Sequence, residues 1–271
     1  MTKINVITLW NTGRYFLRWN KVDINHIVTE EYVDYRLKIL EEITLPSLEN
    51  QTNKDFNWLI FCNTKSLKFG RFYNLVKSLK PTIIDTSNVT RDIDRLIKRV
   101  LTSFNGDVIE LKLDSDDAIS KHFIEVVRRL PIEHYRVYYP KRLIVYLYEI
   151  RKFVEYDDCY MNFPIVVKSN NKENWIYELR HFEYRGFAKY INDDRIFYVY
   201  TQHRANHHIT LCNDINKFYK HFRLNSHKKI KYLEEEVPWL VHQRKKVIQE
   251  HFEFPYTRSE ILKLFSINSR R

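Results

Sequence analysis

Two periods of apolar residues alternate along the first half of the chain. Ile4 to Leu9 is a short apolar run and reads as a strand. Glu30 to Leu45 places Val33, Leu37, Leu40 and Ile43 on one stripe, the mark of a helix that Pro46 kinks or ends. Asn57 to Cys62 is nearly continuous in Trp58-Leu59-Ile60-Phe61, which suits a strand buried on both faces. Phe69 to Leu79 returns to the helical period with Phe72, Leu75, Val76 and Leu79. Thr82 to Asp85 is a third short strand. Arg91 to Phe104 is the most regular helix, with Ile93, Leu96, Ile97, Val100, Leu101 and Phe104 in step. Asp107 to Leu113 then alternates, Ile109, Leu111 and Leu113 against Glu110 and Lys112. Strands and helices taking turns with short connections predict an α/β fold with a mostly parallel sheet covered on both faces.

The second half is read in shorter pieces. A helix is expected to carry Ile119, Phe123, Val126, Val127 and Leu130 on one stripe. Arg136 to Tyr148 predicts a strand pair around Pro140-Lys141, Asn162 to Lys168 a short strand, and Glu178 to Tyr190 a helix. Arg195 to Gln202 predicts an aromatic strand leading into Gln202-His203-Arg204-Ala205-Asn206-His207-His208. From Asp214 onward the chain reads as helical and basic. The expected organisation is one unit over residues 1–213 and a helical extension over 214–271 packed on or beside it.

Composition narrows the function classes. At 271 residues and 33.3 kDa, with 44% hydrophobic and 15% aromatic residues, a sizeable core can form. No run of about 18 apolar residues exists, so no membrane span is predicted. Met1 to Trp10 runs straight into a strand and does not read as a signal peptide. Cys62, Cys159 and Cys212 are scattered, which argues for a reducing compartment and against a cysteine metal site. The net charge of +11 suits an anionic partner: nucleic acid, an anionic membrane surface or a nucleotide-linked substrate. With four glycines and neither GxGxxG nor GxxxxGK[ST], the dinucleotide and P-loop readings are set aside.

Chemistry concentrates in Asp114-Ser115-Asp116-Asp117, just past the strand that ends near Leu113. That is where open α/β sheets place their ligands. Like charges this close repel, and a hard divalent cation is the usual relief. On an extended backbone Asp114 and Asp116 point one way and Asp117 another. Two carboxylates plus diphosphate oxygens then fill most of an Mg²⁺ or Mn²⁺ shell. The plainer alternative is an acidic loop that caps the next helix. Arg14, in the loop after the first strand, is within reach of a phosphate or is an ordinary surface residue.

Leu45-Pro46-Ser47-Leu48-Glu49-Asn50-Gln51-Thr52, then Phe56-Asn57-Trp58-Leu59-Ile60-Phe61, then Leu113-Asp114-Ser115-Asp116-Asp117-Ala118, resemble the putative rhamnosyltransferase family of GT-A glycosyltransferases. Tyr35-Arg36-Leu37 looks like the arginine-containing stretch before the family's proline. The resemblance is strongest over residues 30 to 125 and continues weakly to His203. Asn63, behind Cys62, stands where relatives usually show Asp. The resemblance implies a GT-A-like catalytic domain over 1–213 that moves a sugar from a nucleoside-diphosphate donor to a hydroxyl of a glycan or lipid-linked glycan. It also implies a cation, Mn²⁺ or Mg²⁺, on Asp116 or Asp117, with His203 completing the shell; the alternative is that His203, His207 and His208 are ordinary exposed histidines. Asp114 then suits the donor ribose or a metal-bound water. Asp85, at the end of the third strand, suits the donor base, and Arg91 and Arg95, one helical turn apart, either face the diphosphate or are solvated helix residues. For an acceptor base, Asp157 and Asp158 are the candidates, with Glu178 and Glu183 as alternatives.

Two rivals belong to other classes. A nucleic-acid-binding protein fits the basic tail, but the acids cluster where phosphates would need cations, and nucleic acid is set aside as a partner. A metal-dependent phosphodiesterase also uses clustered Asp, with more His and Asp ligands spread over several strands. An inactive transferase kept as a scaffold is the third alternative. In the tail, Lys228, Lys229, Lys231, Arg244, Lys245 and Lys246 are interleaved with Tyr232, Leu233, Trp239, Leu240, Val241 and Ile248. That pattern permits a peripheral membrane contact, and packing of the apolar members onto the catalytic domain is the preferred reading. The location expected is cytoplasmic, with the membrane surface as the alternative.

Overall fold

The computed structural model describes residues 2–10, 12, 29–89, 93–133, 135–148, 152–156, 164–169, 188–203, 237 and 239. It has the expected α/β class. A large sheet is built from β1 (Lys3–Trp10), β2 (Asn57–Cys62), β3 (Thr82–Asp85), β4 (Val108–Lys112), β6 (Tyr135–Pro140), β9 (Ile165–Lys168) and β10 (Lys189–Ile191). Its order is β10-β6-β9-β4-β1-β2-β3. β3, β2, β1 and β4 run parallel, β9 is antiparallel to both of its neighbours, and β10 pairs parallel with β6. The chain moves outward from β1 to β3 and then returns to the other side of β1 for β4. The crevice past the C-terminal ends of β1 and β4 is therefore a topological switch point.

β1 is buried at every position from Ile4 to Trp10, because both faces of the sheet are covered. One face packs Ile4, Val6 and Trp10 against Val33 and Leu37 of α1 (Glu30–Ile39) and Phe72 and Val76 of α3 (Phe69–Val76). The other packs Ile7, Leu59 and Phe61 against Ile93, Ile97 and Leu101 of α4 (Ile93–Thr102). The alternation in β4 does not mark a solvent face: Glu110 and Lys112 are both buried, and Glu110 is ion-paired with Lys168 on β9.

Thr29 caps α1, its hydroxyl accepting from the Tyr32 N–H at 3.3 Å. The helix does not end at Pro46. A π turn over Leu40–Thr44 carries it into α2 (Leu45–Glu49), with Pro46 in the first turn. The wider turn accommodates a residue that lacks an N–H and crowds the carbonyl one turn back.

A second sheet has the order β5-β11-β7-β8, from β5 (Ala118–Ile119), β7 (Arg142–Leu147), β8 (Lys152–Tyr156) and β11 (Phe197–Gln202). Two sequence expectations change here. β6 and β7 are not a hairpin: β6 pairs with β9 and β10 in the large sheet, while β7 pairs with β11 and β8 in the second, so the chain switches sheets at Lys141. The end of the expected Glu178–Tyr190 helix is strand at Lys189 and Tyr190, because the open edge of β6 recruits it. Ile39 and Ile43 pack with Ala118, Ile144, Tyr146, Tyr148, Phe197 and Val199 under the second sheet. Val237 is buried in the same cluster and Trp239 packs against it. The rest of the 214–271 extension lies outside the described residues. No helix among the described residues is long and apolar enough to cross a membrane.

Candidate active site

The acid run sits at the switch point. The Leu113 N–H donates to the Ile7 carbonyl at 2.9 Å and carries the β1–β4 pairing one residue past β4. The backbone then leaves the extended path, because the Asp117 N–H donates back to the Asp114 carbonyl at 3.1 Å and closes a turn. The turn sends three neighbouring carboxylates to three different partners.

Asp116 meets two elements distant in sequence. Arg36, on α1, donates through NH1 to Asp116 Oδ2 at 2.6 Å and through NH2 to Ser115 Oγ at 2.8 Å. His203, directly after β11, places Nε2 at 2.9 Å from the same carboxylate oxygen and 3.1 Å from NH1. A proton on Nε2 is given to Asp116; a bare Nε2 accepts from Arg36. The Tyr35 ring meets the His203 ring edge-on at 5.8 Å between centroids and fixes its plane. Burial alone would push the Asp116 carboxyl up, but the Arg36 charge and the His203 hydrogen bond outweigh it and hold Asp116 well below the usual carboxylate range. Arg36 is likewise buried at a cost to its charge, which the Asp116 carboxylate reverses. The side chains of Arg36 and Asp116 retain 16% and 11% exposure, so the pair is not sealed in the core.

Asp117 turns the other way. Its oxygens accept from the Tyr198 hydroxyl and from the Thr201 N–H, the latter at 2.7 Å. Burial raises its pKa well above the ordinary value, and the neighbouring charges of Asp116 and Asp114 add to this. These bonds tie the acid loop to β11 and bring His203, two residues beyond Thr201, up to Asp116. Asp114 accepts from Lys112 Nζ at 2.8 Å. Below the loop, Gln51 acts as a brace. Its amide donates to the Ser47 and Ser120 carbonyls at 2.7 and 2.8 Å and accepts from the Ile124 N–H at 3.1 Å.

The structure thus brings together Asp114, Asp116, Asp117 and His203. Asp85 lies at the end of β3, where the Ser87 N–H and hydroxyl and the Thr64 N–H hold its carboxyl below the usual range and fasten the loop. Arg95 is exposed on α4. Arg14, Arg91, Asp157, Asp158, Glu178 and Glu183 lie outside the described residues.

The cation expected from the acid run meets an arrangement already balanced. Asp116 Oδ2 and His203 Nε2 are 2.9 Å apart, the spacing of adjacent ligands on an ion with bonds of ~2.1 Å, and Arg36 Nη1 contacts both, at 2.6 and 3.1 Å. Each carboxylate has its own partner: Arg36 for Asp116, Lys112 for Asp114, and Tyr198 with Thr201 for Asp117. Among the described residues, no group of three or more His, Cys, Asp or Glu is placed to hold a metal. The residues as arranged do not accommodate a divalent ion beside the guanidinium.

Sequence reading passed over Arg36 as a functional group, although it stands in a quoted motif. Its only local sign is a lone cation among apolar helix positions, and the partner lies 80 residues away. Tyr198 read as one aromatic in a strand of aromatics.

The family model described as putative rhamnosyl transferase matches residues 21–211, more than half of the chain. No curated protein matches the sequence. Among solved structures, Staphylococcus aureus TarS is similar at 12% identity and a TM-score of 0.41, over 97% of this chain and 45% of that one. The chain therefore spans under half the length of TarS. A putative nucleotide-diphospho-sugar transferase from Desulfovibrio desulfuricans G20 is similar at 10% identity and a TM-score of 0.37, over 92% of this chain and 98% of that one.

Proposed function

We propose a specific reaction for this chain, which belongs to the putative rhamnosyl transferase family and is a glycosyltransferase: transfer of a sugar from a nucleoside-diphosphate donor to a hydroxyl of a glycan. Rhamnose is the sugar the family's description names, and lipid-linked glycans fall within the acceptor class. The observation that carries the reading is the crevice at the β1–β4 switch point, where the Arg36–Asp116–His203 cluster and the Lys112–Asp114 pair face a donor's place.

In this reading the bond between the sugar's anomeric carbon and the diphosphate oxygen breaks, and its electron pair stays on the diphosphate. The acceptor oxygen bonds the anomeric carbon and gives its proton to a carboxylate, for which Asp157 and Asp158 are the proposed bases. Asp114, fixed by Lys112, is assigned to the donor ribose. Asp116 fixes the orientation of Arg36 and His203 at the phosphates. The expected Mn²⁺ or Mg²⁺ is left out, because the internal pairing of each carboxylate supports a crevice whose charge the chain balances itself. The test is to incubate the full chain with UDP-, GDP- and dTDP-sugars and simple glycan acceptors, with and without Mn²⁺, and to follow nucleoside-diphosphate release. Release from one donor, faster with one acceptor, is expected. No release from any donor in either buffer contradicts the reading.

A further inference from the structure

A donor diphosphate brings a multiply charged anion into the crevice, and its charge concentrates as the sugar leaves. Some cation has to meet that charge. Arg36 is built for the task. It projects from the middle of α1, between the buried Val33 and Leu37, so the helix fixes its base. Its guanidinium is clamped from behind by Asp116 and Ser115, with His203 against NH1. These contacts engage Nη1 and Nη2, and the side chain keeps 16% exposure. The charge count also works without a metal. Without an ion, Arg36 and Lys112 beside Asp116 and Asp114 leave these four side chains neutral in sum.

We propose that Arg36 is the counter-cation of this transferase: the guanidinium receives the donor diphosphate and the charge that develops on it, so donor binding and transfer need no divalent ion. The proposal rests on the glycosyl-transfer reading above. A guanidinium is permanently charged, and its planar fork matches two phosphate oxygens at once. Held in a preformed cluster, it needs little reorganisation when the leaving group departs. Asp116 and His203 are, in this account, the residues that position Arg36, not ligands of an ion.

The test uses the full chain as wild type, Arg36→Gln and Arg36→Lys. Kd values for UDP, GDP and dTDP are measured by calorimetry in EDTA and in Mn²⁺, and Mn²⁺ binding without nucleotide is followed by electron paramagnetic resonance. Wild-type protein is expected to bind one nucleotide with Kd values that agree within about twofold between the two buffers. Arg36→Gln is expected to weaken that binding at least about tenfold in EDTA, and Arg36→Lys, which keeps the charge and loses the fork, to fall between. Wild-type protein is expected to show no Mn²⁺ site, and Arg36→Gln, with the position vacated, to gain one. Thermal unfolding checks that each variant folds; if Arg36→Gln does not, the wild-type EDTA comparison and Arg36→Lys decide. Wild-type binding that EDTA removes and Mn²⁺ restores overturns the proposal and leaves glycosyl transfer standing, as does Arg36→Gln binding as tightly as wild type. A wild type that binds no nucleotide in either buffer overturns both.

Discussion

Asp116 and Asp117 are adjacent in sequence and live in different surroundings. Asp116 sits against a guanidinium and an imidazole, which favour its ionised form despite its burial. Asp117 looks into the second sheet, against a phenol hydroxyl and one backbone N–H, and its burial and the charges of Asp116 and Asp114 favour the protonated form. The turn at Asp114–Asp117 separates them. Two identical side chains thus have different partners, one holding Arg36 and His203 and the other joining the acid loop to β11. The residue type names neither role; the partners do.

The comparison breaks most severely at Arg36. Arg36→Gln leaves the Asp116 carboxylate buried without its charge partner. We expect a loss of roughly 3 kcal/mol in urea-unfolding stability and about a hundredfold or more in turnover. Gln51→Ala acts on both faces at once, because it strips the Ser47 and Ser120 carbonyls and the Ile124 N–H of their shared partner. Roughly 2 kcal/mol of stability should be lost, with a smaller fall in turnover as the acid loop loosens.

Asp117→Asn sharpens the comparison through pH. The folded pKa of Asp117 is raised, so its contribution favours the fold below the unfolded value of about 3.9 and is lost as pH rises through the folded value. An Asp117→Asn variant escapes that loss, and its stability relative to wild type should improve as pH rises above the ordinary carboxylate range in urea titrations. Asp116 has the opposite sign: its lowered pKa adds stability at neutral pH that disappears as pH falls below the ordinary carboxylate range. The smallest effect is expected at Arg95, exposed on α4, where Arg95→Ala should change stability by no more than about 0.5 kcal/mol and nucleotide Kd by less than about threefold.

Much of this frame is legible in the sequence. Val33 with Leu37, and Ile93 with Ile97 and Leu101, keep the helical period, and those helices cover the two faces of the sheet. The acid run follows directly on β4, as the apolar run before it predicts. What escaped depends on long-range pairing. Nothing local to Tyr135–Leu147 says that β6 and β7 join different sheets, since that depends on which edges β9, β10 and β11 leave open. Charge repulsion in the acid run was visible, but its relief by Arg36, Lys112 and Tyr198 required knowing which side chains the fold delivers there.

On the proposed reading, the Asp116 face of the acid loop acts on the donor and the Asp117 face is structural. The direct measurement is nucleoside-diphosphate release by Asp116→Asn and Asp117→Asn, side by side, at a pH where both are folded. The account predicts a fall of about a hundredfold or more for Asp116→Asn and a change of no more than a few fold for Asp117→Asn. Equal losses, or a larger loss at Asp117, would contradict it.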